Sequence, residues 1–173
     1  MRMLIHDLED EEKLAEVYPY PLENMVIISN EKEIHYCLRC FACWVKTPAQ
    51  CIIQDNCGNL GQSLSKCKEI SIVSKCCYGG FSPFVKNVLD RSISYLHPYF
   101  EVKMGKLHHK RRYKNQIDLY IYFYGEQLTE EEKKTAKDLV EANAVIFGWR
   151  VKGLSFDKCG GKMGVSKYED SFN

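Results

Sequence analysis

Cys37, Cys40, Cys43 and Cys51 form the pattern Cys-x2-Cys-x2-Cys-x7-Cys. Thiolates two residues apart on a loop can converge on one centre, and four of them suit tetrahedral zinc or a four-iron cluster. The same thiols could instead serve packing or thiol redox chemistry, and Trp44 sets a bulky ring beside one would-be ligand. Cys57 is a fifth thiol close by. Cys67 and Cys159 stand alone and read as core residues, since free cysteine behaves as a small hydrophobe. Cys76 and Cys77 are vicinal, too strained locally for a disulfide, and mark the end of a strand. Nine cysteines is an odd number, and nothing in the sequence indicates export. Reduced thiols are the expectation, so the cysteines do not read as a disulfide framework.

Three other stretches carry chemistry. Tyr78-Gly-Gly-Phe-Ser-Pro83 is turn chemistry, with Ser82 set as an N-cap and Pro83 at the first helical position. His108-His-Lys-Arg-Arg-Tyr-Lys114 crowds two histidines and four cations into seven residues. It reads as a solvated loop, or as a set of cations able to reach a phosphate. Asp90-Arg91 reads as a structural acid–base pair within a helix.

These segments need elements to hold them. Residues 2–6 and the β-branched run 25–29 read as strands, as do 69–75, 117–124 and 149–156. Asp7 is placed to cap a helix whose first turn is crowded by Glu9, Asp10, Glu11 and Glu12. The cysteine loop covers 36–57, and a short helix follows over 60–68. Apolar residues recur at helical spacing from Phe84 through Ile93 and Leu96, which predicts a helix from Pro83 to about Pro98. Thr129 and Glu132 form a capping box for a helix through Ala144. Strands alternating with helices mean parallel crossover units, with the sheet covered on both faces and ligands held beyond the strand C-termini. The predicted architecture is an α/β three-layer sandwich around about five parallel strands, with residues 1–158 as one domain and 159–173 as an irregular tail.

Composition narrows the classes. A hydrophobic fraction of 45% and a charged fraction of 27% exclude a disordered or collagen-like chain. A net charge of +1 gives no whole-molecule argument for nucleic acid or a membrane surface. No apolar run approaches a transmembrane length, and the N-terminus turns acidic too early for a signal peptide. A cytoplasmic protein is expected.

Three stretches resemble one branch of the flavodoxin-like proteins related to NAD(P)H-dependent FMN reductases and iron–sulfur flavoproteins. They are Cys37 to Cys51 with its Trp44-x-x-Thr47-Pro48 string, ending in Ile53-Gln-Asp55; Tyr78 to Lys86, running into Leu89-Asp90-Arg91-Ser92; and Gly105 to Tyr113. The resemblance implies a flavodoxin-like fold with strand order 2-1-3-4-5 and FMN as cofactor. It further implies NAD(P)H or a ferredoxin-type protein as electron donor, and often a homodimer. Tyr78, Gly79, Gly80 and Ser82 would then border one side of the isoalloxazine ring, and Tyr124 and Gly125 the other. His108, His109 and Arg112 would reach a ligand phosphate or a partner subunit. Cys37, Cys40, Cys43 and Cys51 would hold an iron–sulfur cluster or zinc. The pattern departs at the first loop, where such relatives seat the FMN phosphate on a glycine- and serine-rich turn. Here His6-Asp-Leu-Glu-Asp-Glu-Glu12 brings carboxylates that repel a phosphate. Two alternatives therefore stand beside a flavin oxidoreductase: a flavin-free binding or regulatory domain, and an electron-transfer protein centred on the four thiols.

Overall fold

The structure, a computed structural model, describes residues 1–9, 11–18, 20–30, 33–103 and 105–157. The expected tail over 159–173 lies outside these residues. In chain order the elements are β1 (Arg2–His6), α1 (Glu11–Val17), β2 (Met25–Ser29), α2 (Ala42–Val45), α3 (Leu60–Ser65), β3 (Glu69–Lys75) and α4 (Pro83–Arg91). A 3-10 turn over Ser92–Tyr95 follows, then β4 (Leu96–Lys103), β5 (Lys106–Arg111), β6 (Asp118–Tyr124), α5 (Glu130–Phe147) and β7 (Arg150–Asp157).

Five strands form one parallel sheet in the order β2-β1-β3-β6-β7, the 2-1-3-4-5 order of the flavodoxin-like fold. Alternation along each strand divides its side chains between two faces. Met3 and Ile5, Ile70 and Ile72, and Leu119, Ile121 and Phe123 pack with α3, α4 and α5 into the main core. Leu4, Val73 and Tyr122 face the other way, against Leu14 and Val17 of α1. Right-handed crossovers dictate this division, because α1 leads the chain toward one edge of the sheet and the later connections lead it toward the other. Three helices thus cover one face, and the seven-residue α1 serves the other among the described residues.

The caps form as expected. Ser82 Oγ accepts the Val85 N–H at the start of α4, and Thr129 and Glu132 bond reciprocally at the start of α5. Other expectations are corrected. The helix from Pro83 stops at Arg91 instead of Pro98. Ile93 and Leu96 keep the helical spacing only because the 3-10 turn holds them against the core, with the Trp44 indole N–H donating to both their carbonyls. The basic stretch is not a loop. Lys106–Arg111 is a strand, paired antiparallel with Leu96–Lys103, and Gly105 turns between them at φ 73°. Asp7 caps no helix, since α1 begins four residues later. The cysteine loop contains a one-turn helix, α2, that the sequence did not signal.

Candidate functional site

The strand order reverses between β1 and β3, and there the loops beyond the strand C-termini diverge to leave a cavity of about 690 Å³. Its walls come from four connections. Asp7 and Glu9 follow β1, and Asn30, Glu33 and Tyr36 follow β2. Lys75 and Cys77 close β3, and Tyr124 closes β6. Ser82, Phe84 and Asn87 of the α4 start complete it. Its size suits a flat aromatic ligand, and Tyr36, Phe84 and Tyr124 give it aromatic walls.

Asp7 is fixed in this wall. One carboxylate oxygen accepts the Lys75 backbone N–H at 2.9 Å, and the other accepts the Tyr124 hydroxyl at 3.1 Å. The residue read from sequence as a helix cap is instead a cross-strand tie joining the exits of β1, β3 and β6.

The ring-bordering residues expected from sequence divide in two. Ser82 and Tyr124 line the cavity. Tyr78 is 95% exposed and is not part of its wall. Gly79 sits at φ 76° in a tight turn closed by reciprocal Cys77–Gly80 backbone bonds, and it packs against α5. A Cβ there would come within 2.7 Å of Thr135 Cβ and 2.9 Å of the Glu132 carbonyl. Gly80 belongs to the same turn, and Gly125 lies against the Leu128 side chain. The glycines serve close backbone packing here, so the plainer reading of Gly79-Gly80 as a turn before a helix has the contacts to explain it.

A second cavity, about 410 Å³, gathers all four patterned thiols: Cys37, Cys40, Cys43 and Cys51 line it together with Phe41, Trp44, Arg91, His109 and Phe147. The loop that carries them is lashed at both ends by one ion pair. Arg91 meets Asp55 through two bonds of 2.7 and 2.8 Å and also donates to the His35 and Ile53 carbonyls. Asp55 in turn accepts the backbone N–H groups of His35 and Cys57. The Arg91 side chain is 1% exposed, and its Nε has no hydrogen-bond partner among the described residues. Asp90, read as its partner from sequence, pairs with Lys86 instead. The Trp-x-x-Thr string is structural too. Trp44 ties the loop to the 3-10 turn, and Thr47 Oγ1 donates to the Gln50 carbonyl at 2.8 Å.

Burial, then the neighbouring thiols of Cys51, Cys37 and Cys40, push Cys43 up to about 11. Burial likewise raises Cys57 and Cys67 to about 11. Thiols raised in this way stay protonated at neutral pH and are poor nucleophiles, whereas Cys40 is exposed. Alkylation with iodoacetamide at neutral pH is therefore expected to modify Cys40 first and to spare Cys43, Cys57 and Cys67 until denaturant is added; peptide mass mapping over time checks the order. Among the described residues no three His, Cys, Asp or Glu side chains stand together closely enough to hold a metal ion.

His108, His109 and Arg112 lie on or beside the β4–β5 hairpin, and none of them lines the sheet-edge cavity. The His109 ring lies 5.1 Å from Trp44 and 4.4 Å from Phe100, and its Nδ1 bonds to the His97 carbonyl. Arg112 donates to the Leu96 carbonyl. The residues sequence reasoning missed are Asn87, which donates to the Ile34 and His35 carbonyls beside the cavity, and Asp55 as the mate of Arg91. Asp55 stood in view within the Ile53-Gln-Asp55 stretch, but nothing local pairs it with a residue 36 positions away. Among the described residues no helix is long and apolar enough to cross a membrane.

No family model matches the chain, and no curated protein does. Solved structures match over most of their length. The Trp repressor binding protein from Bacillus subtilis superposes with a TM-score of 0.54 at 12% identity, covering 91% of this chain and 86% of that one. An FMN-dependent NADH-azoreductase from Bacillus anthracis, in complex with FMN, gives 0.52 at 9% identity, covering 94% and 89%. Azoreductase AzrA gives 0.51 at 8%, covering 91% and 87%. At such identities the likeness is one of fold.

Proposed function

We propose that the chain is a flavodoxin-fold oxidoreductase that holds a flavin ring in the sheet-edge cavity and exchanges electrons with a reduced nicotinamide nucleotide or a protein donor. The position of the cavity carries this reading. It lies beyond the strand C-termini at the point where the strand order reverses, where this architecture holds flat cofactors, and it is large enough for one. The FMN-bound azoreductase of the same fold supports it. A bound flavin supplies the redox chemistry, and the chain's part is to orient the ring and exclude water. The aromatic walls of Tyr36, Phe84 and Tyr124 would flank the ring, and Asn87 and Ser82 offer polar atoms at its edge. Homodimer formation remains part of the proposal through the resemblance alone.

The test is reconstitution. Protein incubated with excess flavin and desalted is expected to stay yellow, with a visible spectrum shifted from that of free flavin, and to bleach on anaerobic addition of NADH or NADPH. Protein that emerges colourless with every flavin tried would refute the reading and leave the flavin-free binding domain.

The four thiols share one cavity with the buried Arg91, but among the described residues they do not stand closely enough to hold a metal ion, so no iron–sulfur cluster is proposed there.

A further inference from the structure

The FMN phosphate does not fit the residues that stand where this architecture seats one. Relatives of this fold hold the phosphate on the first loop and the start of the next helix, which offer free N–H groups and a positive dipole end. In this chain α1 has seven residues and opens with two glutamates. The loop before it contributes Asp7 and Glu9 to the cavity wall, and Glu33 faces them from the loop after β2. Lys75 is the single cationic side chain among the described residues that line the cavity, which leaves the lining with a net of two negative charges. Asp7 cannot turn aside without giving up its bonds to the Lys75 N–H and the Tyr124 hydroxyl.

Several backbone donors near the cavity are also taken. Pro83 opens α4 without an N–H, and Ser82 Oγ occupies the Val85 N–H. The Cys76, Cys77, Gly80 and Ser82 N–H groups donate to Tyr124 O, Gly80 O, Cys77 O and Ser74 Oγ respectively. The aromatic and polar atoms that could meet a ring remain, while the positive end that would meet a dianion is replaced by carboxylates.

Building on the flavin reading above, we propose that the sheet-edge cavity takes a flavin without a phosphate, riboflavin being the simplest, and that the Asp7 carboxylate sets this preference. Ring and polyol contacts would supply the affinity. The carboxylate wall would discriminate against the phosphorylated form by like-charge repulsion, as a specificity device that penalises the competitor more than it improves the ligand.

Fluorescence titration of riboflavin and of FMN, in buffer with a chelator so that no divalent cation bridges phosphate and carboxylate, tests the proposal. Riboflavin is expected to bind at least about tenfold more tightly, which is the low end of what one like-charge contact at a protein surface produces. Asp7→Asn keeps an acceptor for the Lys75 N–H and removes the charge. It is expected to tighten FMN by about tenfold while leaving riboflavin within about twofold. Glu33→Gln, whose side chain has no bond to the sheet among the described residues, serves as a second variant with a smaller shift in the same direction. Raising ionic strength about tenfold should narrow the gap between the two flavins in the unmodified chain.

FMN binding as tightly as riboflavin, or a gap that survives both substitutions, would overturn this proposal and leave the flavin reading intact. Failure of both ligands to bind the unmodified chain would overturn the flavin reading and this proposal with it. Far-ultraviolet circular dichroism of each variant separates lost binding from lost fold.

Discussion

Arg91→Met is expected to lower the free energy of unfolding by about 3–5 kcal/mol, because it strands a buried carboxylate. Asp55 would keep the N–H groups of His35 and Cys57 but lose both guanidinium bonds in a site where its side chain is 8% exposed. For a chain of this length each kcal/mol moves the melting temperature by roughly 2–4 °C, so thermal denaturation followed by circular dichroism reads the change clearly. Replacing both residues, Arg91→Met with Asp55→Leu, should recover much of the loss, since two apolar groups leave no charge unpaired. A single replacement costing under about 1 kcal/mol would show that the pair does not hold the cysteine loop.

The same pair gives a pH dependence. Burial acts to raise the Asp55 carboxyl, but the bonds from Arg91, Cys57 and His35 and the Arg91 charge together hold it below its ordinary value. A carboxyl with a depressed folded-state value contributes stability above its unfolded value, about 3.9, and loses it as the pH falls through the folded value. The contribution is therefore complete at neutral pH and disappears at strongly acid pH. In Arg91→Met the carboxyl has lost the guanidinium that holds it low, so this part of the acid dependence should be reduced.

The second large effect concerns Gly79. Gly79→Ala is expected to cost about 3 kcal/mol, combining a left-handed backbone with overpacking against α5. The added methyl would press on Thr135 Cβ and the Glu132 carbonyl, and backbone cannot move aside cheaply. Gly105 is the control. It has nearly the same backbone, φ 73° against 76°, but an added methyl meets nothing within 4 Å. Gly105→Ala should cost only about 1–2 kcal/mol, the conformational part alone. Equal losses in urea denaturation of the two variants would remove the packing argument. The pair also bears on function, because a Gly79 variant that fails to bind flavin would first have to be shown folded.

What the sequence reveals here depends on how local the cause is. Strands such as Met25–Ser29 and Glu69–Lys75 announce themselves through β-branched runs, and Ser82-Pro83 and Thr129-x-x-Glu132 mark helix starts through chemistry confined to one turn. From those alone the parallel sheet and its ligand edge follow. The β4–β5 hairpin was hidden because its second strand is written in lysine, histidine and arginine, residues that usually mean a solvated loop. It forms because Phe100, Glu101 and Val102 lie opposite His109, His108 and Leu107, a register visible only in three dimensions. The pairing of Arg91 with Asp55 was concealed for the same reason, although both residues stand in the stretches that first drew attention. At the candidate site, the carboxylate of Asp7 was legible as an obstacle to phosphate. Its role as a tie between three strand exits was not, because two of its partners are 68 and 117 positions away.

The unequal dressing of the two sheet faces has a consequence for motion. On the side served by the short α1, the edge strand β2 pairs among the described residues with β1 alone, and its Ile27 remains 42% exposed. Fraying therefore costs less at this margin than at the central strands, and the chain that continues from β2 forms one wall of the sheet-edge cavity. The wall that continues from β2 is thus anchored to an edge strand, while the walls beyond β3 and β6 continue from strands paired on both sides.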